Sequence, residues 1–365
     1  MRADLLDQSQ AVRPGEELDA RKLEVYLKSR MPELTGPVSI EQFPKGYSNL
    51  TYLIRVGSRE MVLRRPPFGA KIKTAHDMGR EYKILSHICD LYSKVPRPLA
   101  YCDEETVLGT PFYLMERVTG TVLRAQPPSG FTLGPDLMKQ ISKSFIENFA
   151  DIHAIDYAAA GLGDLGKPVG YVVRQIEGWI KRYHNARTDD IPEMEFISSW
   201  LTGHMPPETG ACLIHNDYKY DNLVFDAAES EGAPWQIKAV LDWEMATIGD
   251  PLMDLGSTLG YWVDADDPDE WRQQSFGVTT LPGNLNREQL LELYARQTGR
   301  SIQHAVFYHA YGLFKIAVIV QQIYMRYKQG LTKDERFGRL IQSVRAASHT
   351  AVLAIEKDRV SRLTT

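Results

Sequence analysis

Two short segments of this chain carry residue types that could do chemistry together. The first is His215-Asn216-Asp217-Tyr218-Lys219-Tyr220-Asp221-Asn222, and the second is Val240-Leu241-Asp242-Trp243-Glu244. Asp217 is a candidate acceptor for the proton of an attacking hydroxyl. Lys219 is a candidate point charge for a phosphate, Asn222 offers a neutral amide oxygen, and Asp242 an anionic one. Oxygens of this kind suit Mg2+, a hard cation that favours octahedral oxygen ligands. Transfer of a γ-phosphoryl group asks for little covalent help from a protein. Positioning, neutralisation of the phosphate oxygens and acceptance of one proton are what matter. One Asp-rich turn alone reads as a solvated loop. A base, a lysine two residues on, an asparagine five residues on and an apolar-Asp pair on the next strand together point to phosphoryl transfer from a nucleotide.

The flanking segments must hold these groups in place. Apolar runs at 211–214, 222–225 and 236–241 read as short strands, which puts Asp217 and Asp242 at strand-to-loop transitions. The polar stretch 227–234 reads as a hairpin turn. Upstream, strands are expected at 39–43, 50–56 and 61–65, the first two joined by a turn containing Gly46, Ser48 and Asn49. Amphipathic spacing predicts helices over 15–30, with Leu23, Tyr26 and Leu27 on one face, and over 75–92, with Met78, Glu81, Leu85 and Ile88 on one face. An inward carboxylate needs a cationic partner. Strand alternation places Val62 and Arg64 together, so Arg64 is the evident partner of Glu81. Further helices are expected at 135–155, 172–183, 194–201 and 334–357. Asp250 before Pro251 has the form of a helix N-cap followed by proline at the first helical position.

Composition narrows the function classes. At 365 residues the chain is long enough for two lobes with separate cores. A formal charge of −5 argues against a nucleic-acid partner held by bulk electrostatics. Three cysteines with no pairing or metal spacing suit a reducing compartment, and the first ten residues lack an apolar signal core, so a cytoplasmic location is expected. The most apolar stretch, 304–325, is broken by Lys315, Gln321, Gln322 and two histidines, which favours a buried helix over a membrane span. Asp264, Asp266, Asp267, Asp269 and Glu270 form an acidic run that reads as a solvated loop, with binding of a polycation as the other reading.

Three motifs carry a family resemblance: His215-x-Asp217-x4-Asn222, Leu241-Asp242-Trp243-Glu244, and Ile248-Gly249-Asp250-Pro251-Leu252-Met253-Asp254-Leu255-Gly256. On these the chain resembles the aminoglycoside phosphotransferase-like small-molecule kinases, relatives of the protein kinases. The Asn216-Asp217-Tyr218-Lys219 wording and Leu63-Arg64-Arg65-Pro66-Pro67 bring it nearest to the branch related to the kinase-like domain fused to some acyl-CoA dehydrogenases. The likeness runs from about residue 43 to residue 261 and is strongest over 215–256.

The resemblance implies an α+β, two-lobed protein-kinase-like fold. An antiparallel β N-lobe would span 1–118 and a mainly helical C-lobe 119–365. It implies that Gly46, Ser48 and Asn49 cover the nucleotide phosphates. Arg64 would stand where kinases carry a phosphate-gripping lysine, oriented by Glu81, with Arg65 as the alternative. Met115, Glu116 and Val118 would form the adenine-reading hinge. Asp217 and Lys219 would be catalytic, Asn222 and Asp242 would hold Mg2+, and Glu244 would touch a second ion or form a salt bridge. His153 and Asp254 would be scaffolding beneath the catalytic loop. The implied reaction takes ATP or GTP and a hydroxylated small molecule. The acceptor would be a hydroxyacyl-CoA or, across the wider family, an amino sugar or a choline-like or homoserine-like alcohol. A nucleotide-binding regulator without catalysis is the rival class, and retention of both Asp217 and Asp242 speaks against it.

Overall fold

The computed structural model describes residues 7–43, 49–69, 77–125, 132–226, 235–274, 276–332 and 334–364. In chain order the first elements are α1 (Ala20–Arg30), β1 (Val38–Gln42), β2 (Leu50–Val56), β3 (Arg59–Arg65), α2 (Met78–Ile88), β4 (Pro98–Cys102), α3 (Glu105–Leu108) and β5 (Phe112–Glu116). Then follow α4 (Pro135–His153), α5 (Tyr171–Ala186), α6 (Pro192–Gly203), β6 (Cys212–Ile214), β7 (Leu223–Asp226), β8 (Gln236–Val240) and β9 (Thr247–Gly249). The chain ends with α7 (Pro251–Tyr261), α8 (Asp269–Arg272), α9 (Arg287–Thr298), α10 (Ala305–Lys328) and α11 (Leu340–Glu356). The chain divides into two compact units. One comprises Met1–Val122, Leu223–Glu229 and Ile237–Ala246; the other comprises Leu123–Asn222, Ser230–Gln236 and Thr247–Thr365.

The first unit is built on a five-stranded antiparallel sheet in the order β1-β2-β3-β5-β4. Its apolar core joins Leu23, Tyr26 and Leu27 of α1 to Tyr52, Ile54, Leu63 and Leu114 of the sheet. Helix α1 starts five residues later than the amphipathic pattern suggested. Asp19 caps it, its carboxylate accepting from the amides of Arg21 and Lys22, after Gly15 has turned the chain at a φ of 86°. Strand β3 is buried along its last five residues, Arg64 and Arg65 included. Two arginines in a strand with no wet face must each find an acceptor.

In the second unit, β6 pairs antiparallel with β9, which at three residues is too short for the sequence pattern to reveal. Asp250 accepts from the Leu252 amide at 2.8 Å as the N-cap of α7, with Pro251 next to it. Helix α10 is long and apolar enough to cross a membrane, yet 78% of its most apolar window is buried in the protein. Helices α7 and α10 touch backbone to backbone. A methyl group on Gly312 would overlap the Gly256 carbonyl, and one on Gly260 would lie 2.7 Å from the Gly312 carbonyl carbon. This close approach brings the polar side chains of both helices within reach of the β6–α7 region.

Because that crossing has no room for a methyl, Gly312→Ala should destabilise the protein by about 1–3 kcal/mol or more in urea unfolding, as overpacking does. Gly203→Ala, at a helix end with open space around it, should leave stability unchanged or slightly raised.

Candidate active site

In the first unit the chemistry gathers around one arginine. Arg64 Nη1 donates to Glu81 Oε1 at 2.7 Å, and Nη2 donates to Asp242 Oδ1 at 2.9 Å, with Glu244 Oε2 3.9 Å away. Helix α2 presents Glu81 inward from its first turn, 1% exposed. Asp242 follows β8 at φ 66° and ψ 59°, a left-handed conformation uncommon for a residue with a Cβ. What holds it there is the next peptide. The Trp243 amide donates to Glu81 Oε1 at 3.1 Å, and the Trp243 indole donates to the Val240 carbonyl at 3.0 Å. Glu81 therefore grips the arginine and the backbone after Asp242 at once.

Charge follows from this packing. Burial opposes ionisation of Arg64, but Glu81, Asp242, Tyr113 and Glu244 outweigh it, and the guanidinium sits well above its ordinary range. Burial pushes the Glu81 carboxyl up while Arg64 pulls it back. Arg65, the alternative considered for the phosphate grip, points elsewhere: it donates to the Pro66 and Leu108 carbonyls and stacks on Phe68. Asn49 donates to Glu244. Gly46, Ser48 and the 227–234 turn lie outside the described residues. At the expected hinge, Met115 is buried, and the Glu116 amide donates to the Arg97 carbonyl at 2.8 Å, so that amide is already engaged within the protein.

The second unit supplies the loop after β6 that carries Asp217, Lys219 and Asn222. Asp254 of α7, 0% exposed, accepts from two consecutive amides, His215 N on Oδ2 and Asn216 N on Oδ1, both at 2.7 Å. His153 Nε2 meets Asp254 Oδ2 at 3.2 Å, while its Nδ1 faces the Tyr294 hydroxyl at 2.8 Å. Burial alone would raise the Asp254 carboxyl; the hydrogen bond from His153, the charges of His153 and His215 and the His215 amide outweigh it, and the group lies below its usual range. Asn216 is thereby held at φ 66°, and the chain turns so that Asp217 follows.

Around Asp217 the partners are close. Lys219 Nζ lies 3.1 Å from Oδ1 and 3.0 Å from Oδ2. Asn222 Nδ2 donates to the Asp217 carbonyl at 2.8 Å and to Oδ2 at 2.9 Å. With its nitrogen committed there, Asn222 turns its amide oxygen away from Asp217, the end a cation would use. Burial opposes the Lys219 charge, but Asp217, Tyr261 and Asp221 outweigh it and hold the ammonium well above its ordinary range. The same burial pushes Asp221 up to about 6, offset in part by Lys219. Among the described residues no three His, Cys, Asp or Glu side chains stand together as a metal cage. Asp242 of the first unit and Asn222 of the second each carry a hard oxygen of the kind Mg2+ takes, an ion that keeps waters and draws most remaining ligands from substrate phosphates.

Three residues here escaped the sequence reading. The Tyr261 ring lies 4.7 Å from Lys219 Nζ, and Ser257 and Lys315 form a polar contact beside Asn216. Lys315 left one trace, a lone charge in an apolar helix. The acidic run requires a correction, since it is not solvated throughout. Asp264 and Asp267 are 4% and 2% exposed and neutralised by fully buried Arg287, whose guanidinium also donates to the Trp262 and Val360 carbonyls. Asp269 pairs with Arg272 and Glu270 with His349.

Replacing Asp254 by Asn sets an amide N–H2 against a backbone N–H, so Asp254→Asn should cost about 3 kcal/mol of unfolding free energy. A carboxylate held below its unfolded value stabilises above that value and stops doing so as pH falls through the folded one. The gap between wild type and variant should therefore be flat above about pH 5 and shrink below about pH 4, read by urea titration across pH.

Comparison with known proteins now bears on this geometry. The phosphotransferase enzyme family matches residues 39–284. Acyl-CoA dehydrogenase family member 10 of Mus musculus is 34% identical over 328 residues, covering 88% of this chain and 30% of that protein. The chain thus spans under a third of that relative's length. A solved chain from Ralstonia eutropha, described as a candidate aminoglycoside phosphotransferase, is 32% identical with a TM-score of 0.75, covering 92% of this chain and 99% of the other. The GDP complex of aminoglycoside 2'-phosphotransferase-IIIa shares the fold at a TM-score of 0.61 and 14% identity, covering 91% and 99%. The chain belongs to the phosphotransferase enzyme family and has its α+β, protein-kinase-like fold.

Proposed function

We propose that this chain is a Mg2+-dependent kinase that transfers the terminal phosphoryl group of ATP or GTP to a hydroxyl of a small molecule, with a hydroxyacyl-CoA as the acceptor class. The observation that carries the reading is the catalytic loop itself. Asp217 is the one carboxylate flanked by both Lys219 and Asn222, on a loop whose backbone is clamped from below by Asp254. Asp217 accepts the proton as the acceptor oxygen attacks. Lys219 neutralises charge on the moving phosphoryl group, and Arg64, oriented by Glu81, does so for the remaining phosphates. Arginine can take phosphate bidentately, so its presence in place of lysine keeps this role. Asn222 and Asp242 would each offer an oxygen to the cation, whose chemistry would be neutralisation of phosphate charge. Asn49, Met115, Glu116 and Val118 are assigned to contact with the nucleotide.

The donor assignment is supported by the fold neighbour solved with GDP. The acceptor class is supported by the name of a relative that matches most of this chain, an acyl-CoA dehydrogenase family member. The acidic run adds to it. A polyamine sugar calls for free carboxylates, and four of these five acids are already matched by Arg287, Arg272 and His349.

Nucleotide consumption should be measured against a panel of hydroxylated metabolites that includes hydroxyacyl-CoA species and kanamycin. Chelation should abolish turnover and added Mg2+ restore it. Asp217→Asn should lower kcat by about 10²–10⁴-fold, the range of general-base contributions; equal turnover would remove Asp217 as the base. A higher kcat/KM for kanamycin than for any hydroxyacyl-CoA would remove the acceptor class and leave the phosphotransferase reading standing.

A further inference from the structure

Lys315 sits in the middle of α10, 3% exposed, with no role in the reaction outlined above. Its Nζ donates to the Asn216 carbonyl at 2.9 Å and to Ser257 Oγ at 3.1 Å, and it lies 5.8 Å from the centre of the Trp179 ring. Ser257 spends its own proton on the Met253 carbonyl at 3.0 Å, so a lone pair faces the lysine. Among the described residues no carboxylate lies within ion-pair distance of the ammonium, and both of its acceptors are neutral.

A buried ammonium with only neutral acceptors is costly, and an apolar side chain of the same length would fill this place at lower cost. The expense is explained by what the charge touches. The peptide joining Asn216 to Asp217 is held at both ends: its carbonyl by Lys315, its N–H by His215 Nδ1 at 3.3 Å. The peptide before it is held by Asp254 through the Asn216 amide. Asn216 is thus fixed in its left-handed conformation by an anion on its N–H and a cation on its carbonyl. The Asp217 side chain leaves the backbone directly after that second peptide plane.

We propose that Lys315 is a positioning residue for Asp217: its ammonium locks the Asn216–Asp217 peptide plane to α7 and α10 and so aims the proton-accepting carboxylate. The catalytic half of this rests on the kinase reading; the loop lock does not. Burial pushes the Lys315 ammonium down to about 8, with Asp254 of α7 and Asp217 of the loop pulling it up, and Lys219 of the loop and Arg182 of α5 pushing it down. The charged form exists below that pH and is lost as pH rises through it. Protection of the loop, and kcat with it, should therefore fall on the alkaline side of about pH 8.

The test is amide hydrogen exchange of the 215–218 loop across pH, read beside steady-state kinetics, in wild type, Lys315→Met and Ser257→Ala. In Lys315→Met, protection of the Asn216 and Asp217 amides should fall roughly tenfold or more, the equivalent of one charge-assisted hydrogen bond. Its kcat should fall on the order of 100-fold with the nucleotide KM nearly unchanged, as for a misplaced catalytic group. The alkaline limb of both readouts should disappear. Ser257→Ala removes one acceptor of the charged form, so the limb should move to lower pH. Loop protection and kcat in Lys315→Met that keep the wild-type pH dependence would overturn the proposal. If Lys315→Met does not fold, an unmoved limb in Ser257→Ala overturns it instead. Exchange is read without acceptor, so a failure to phosphorylate any hydroxyl would sink the kinase reading while the loop result stood by itself.

Discussion

Two consecutive peptide N–H groups pointing at one buried carboxylate are the constraint from which the loop carrying Asp217 takes its shape. A chain leaving a three-residue strand would ordinarily turn in whatever way exposes its amides to water. Here Asp254 takes both amides in an apolar interior, where each charge-assisted bond is worth about twice a neutral one. A buried carboxylate is itself costly unless fully partnered, and His153, steadied by Tyr294, completes the set. Every other feature of the loop is downstream. Asn216 adopts a left-handed conformation, Lys315 can reach its carbonyl, and Asp217 meets Lys219 and Asn222.

The first unit repeats the logic with the sign reversed. One buried guanidinium gathers Glu81, Asp242 and, more distantly, Glu244, and the same Glu81 oxygen that takes the arginine also takes the Trp243 amide. The left-handed turn at Asp242 is thus held by a peptide bound to α2. In both units a charged side chain from a helix accepts backbone hydrogen bonds and fixes a left-handed residue, Asp242 itself in the first and Asn216, just before Asp217, in the second. Rigidity of this kind lowers the reorganisation a polar group needs during a reaction.

Much of this was legible in the sequence, for identifiable reasons. Periods of 2 and 3.6 in the apolar residues placed β1, β2, β3, α2 and α4, and the order Asp250-Pro251 placed the cap of α7. The facing of Arg64 and Glu81 followed from the same periods. What escaped has a common cause. Strand β9 is too short to show a period, the acidic run looks the same whether exposed or paired, and the glycines of α7 and α10 reveal nothing of their partner until the helices cross.

The amino-acid order by itself determined which residue types could accept a proton, carry a charge to phosphate and hold a hard cation, and that they sit at strand ends, because spacing and polarity are local properties. Only the tertiary structure decided that Arg287 takes up Asp264 and Asp267, that the Arg64–Glu81 pair also takes Asp242 and the Trp243 amide, and that Lys315 reaches the loop before Asp217. Those pairings join residues between 20 and 178 positions apart. A buried charge takes the partner that packing brings to it, and packing is settled by the whole fold.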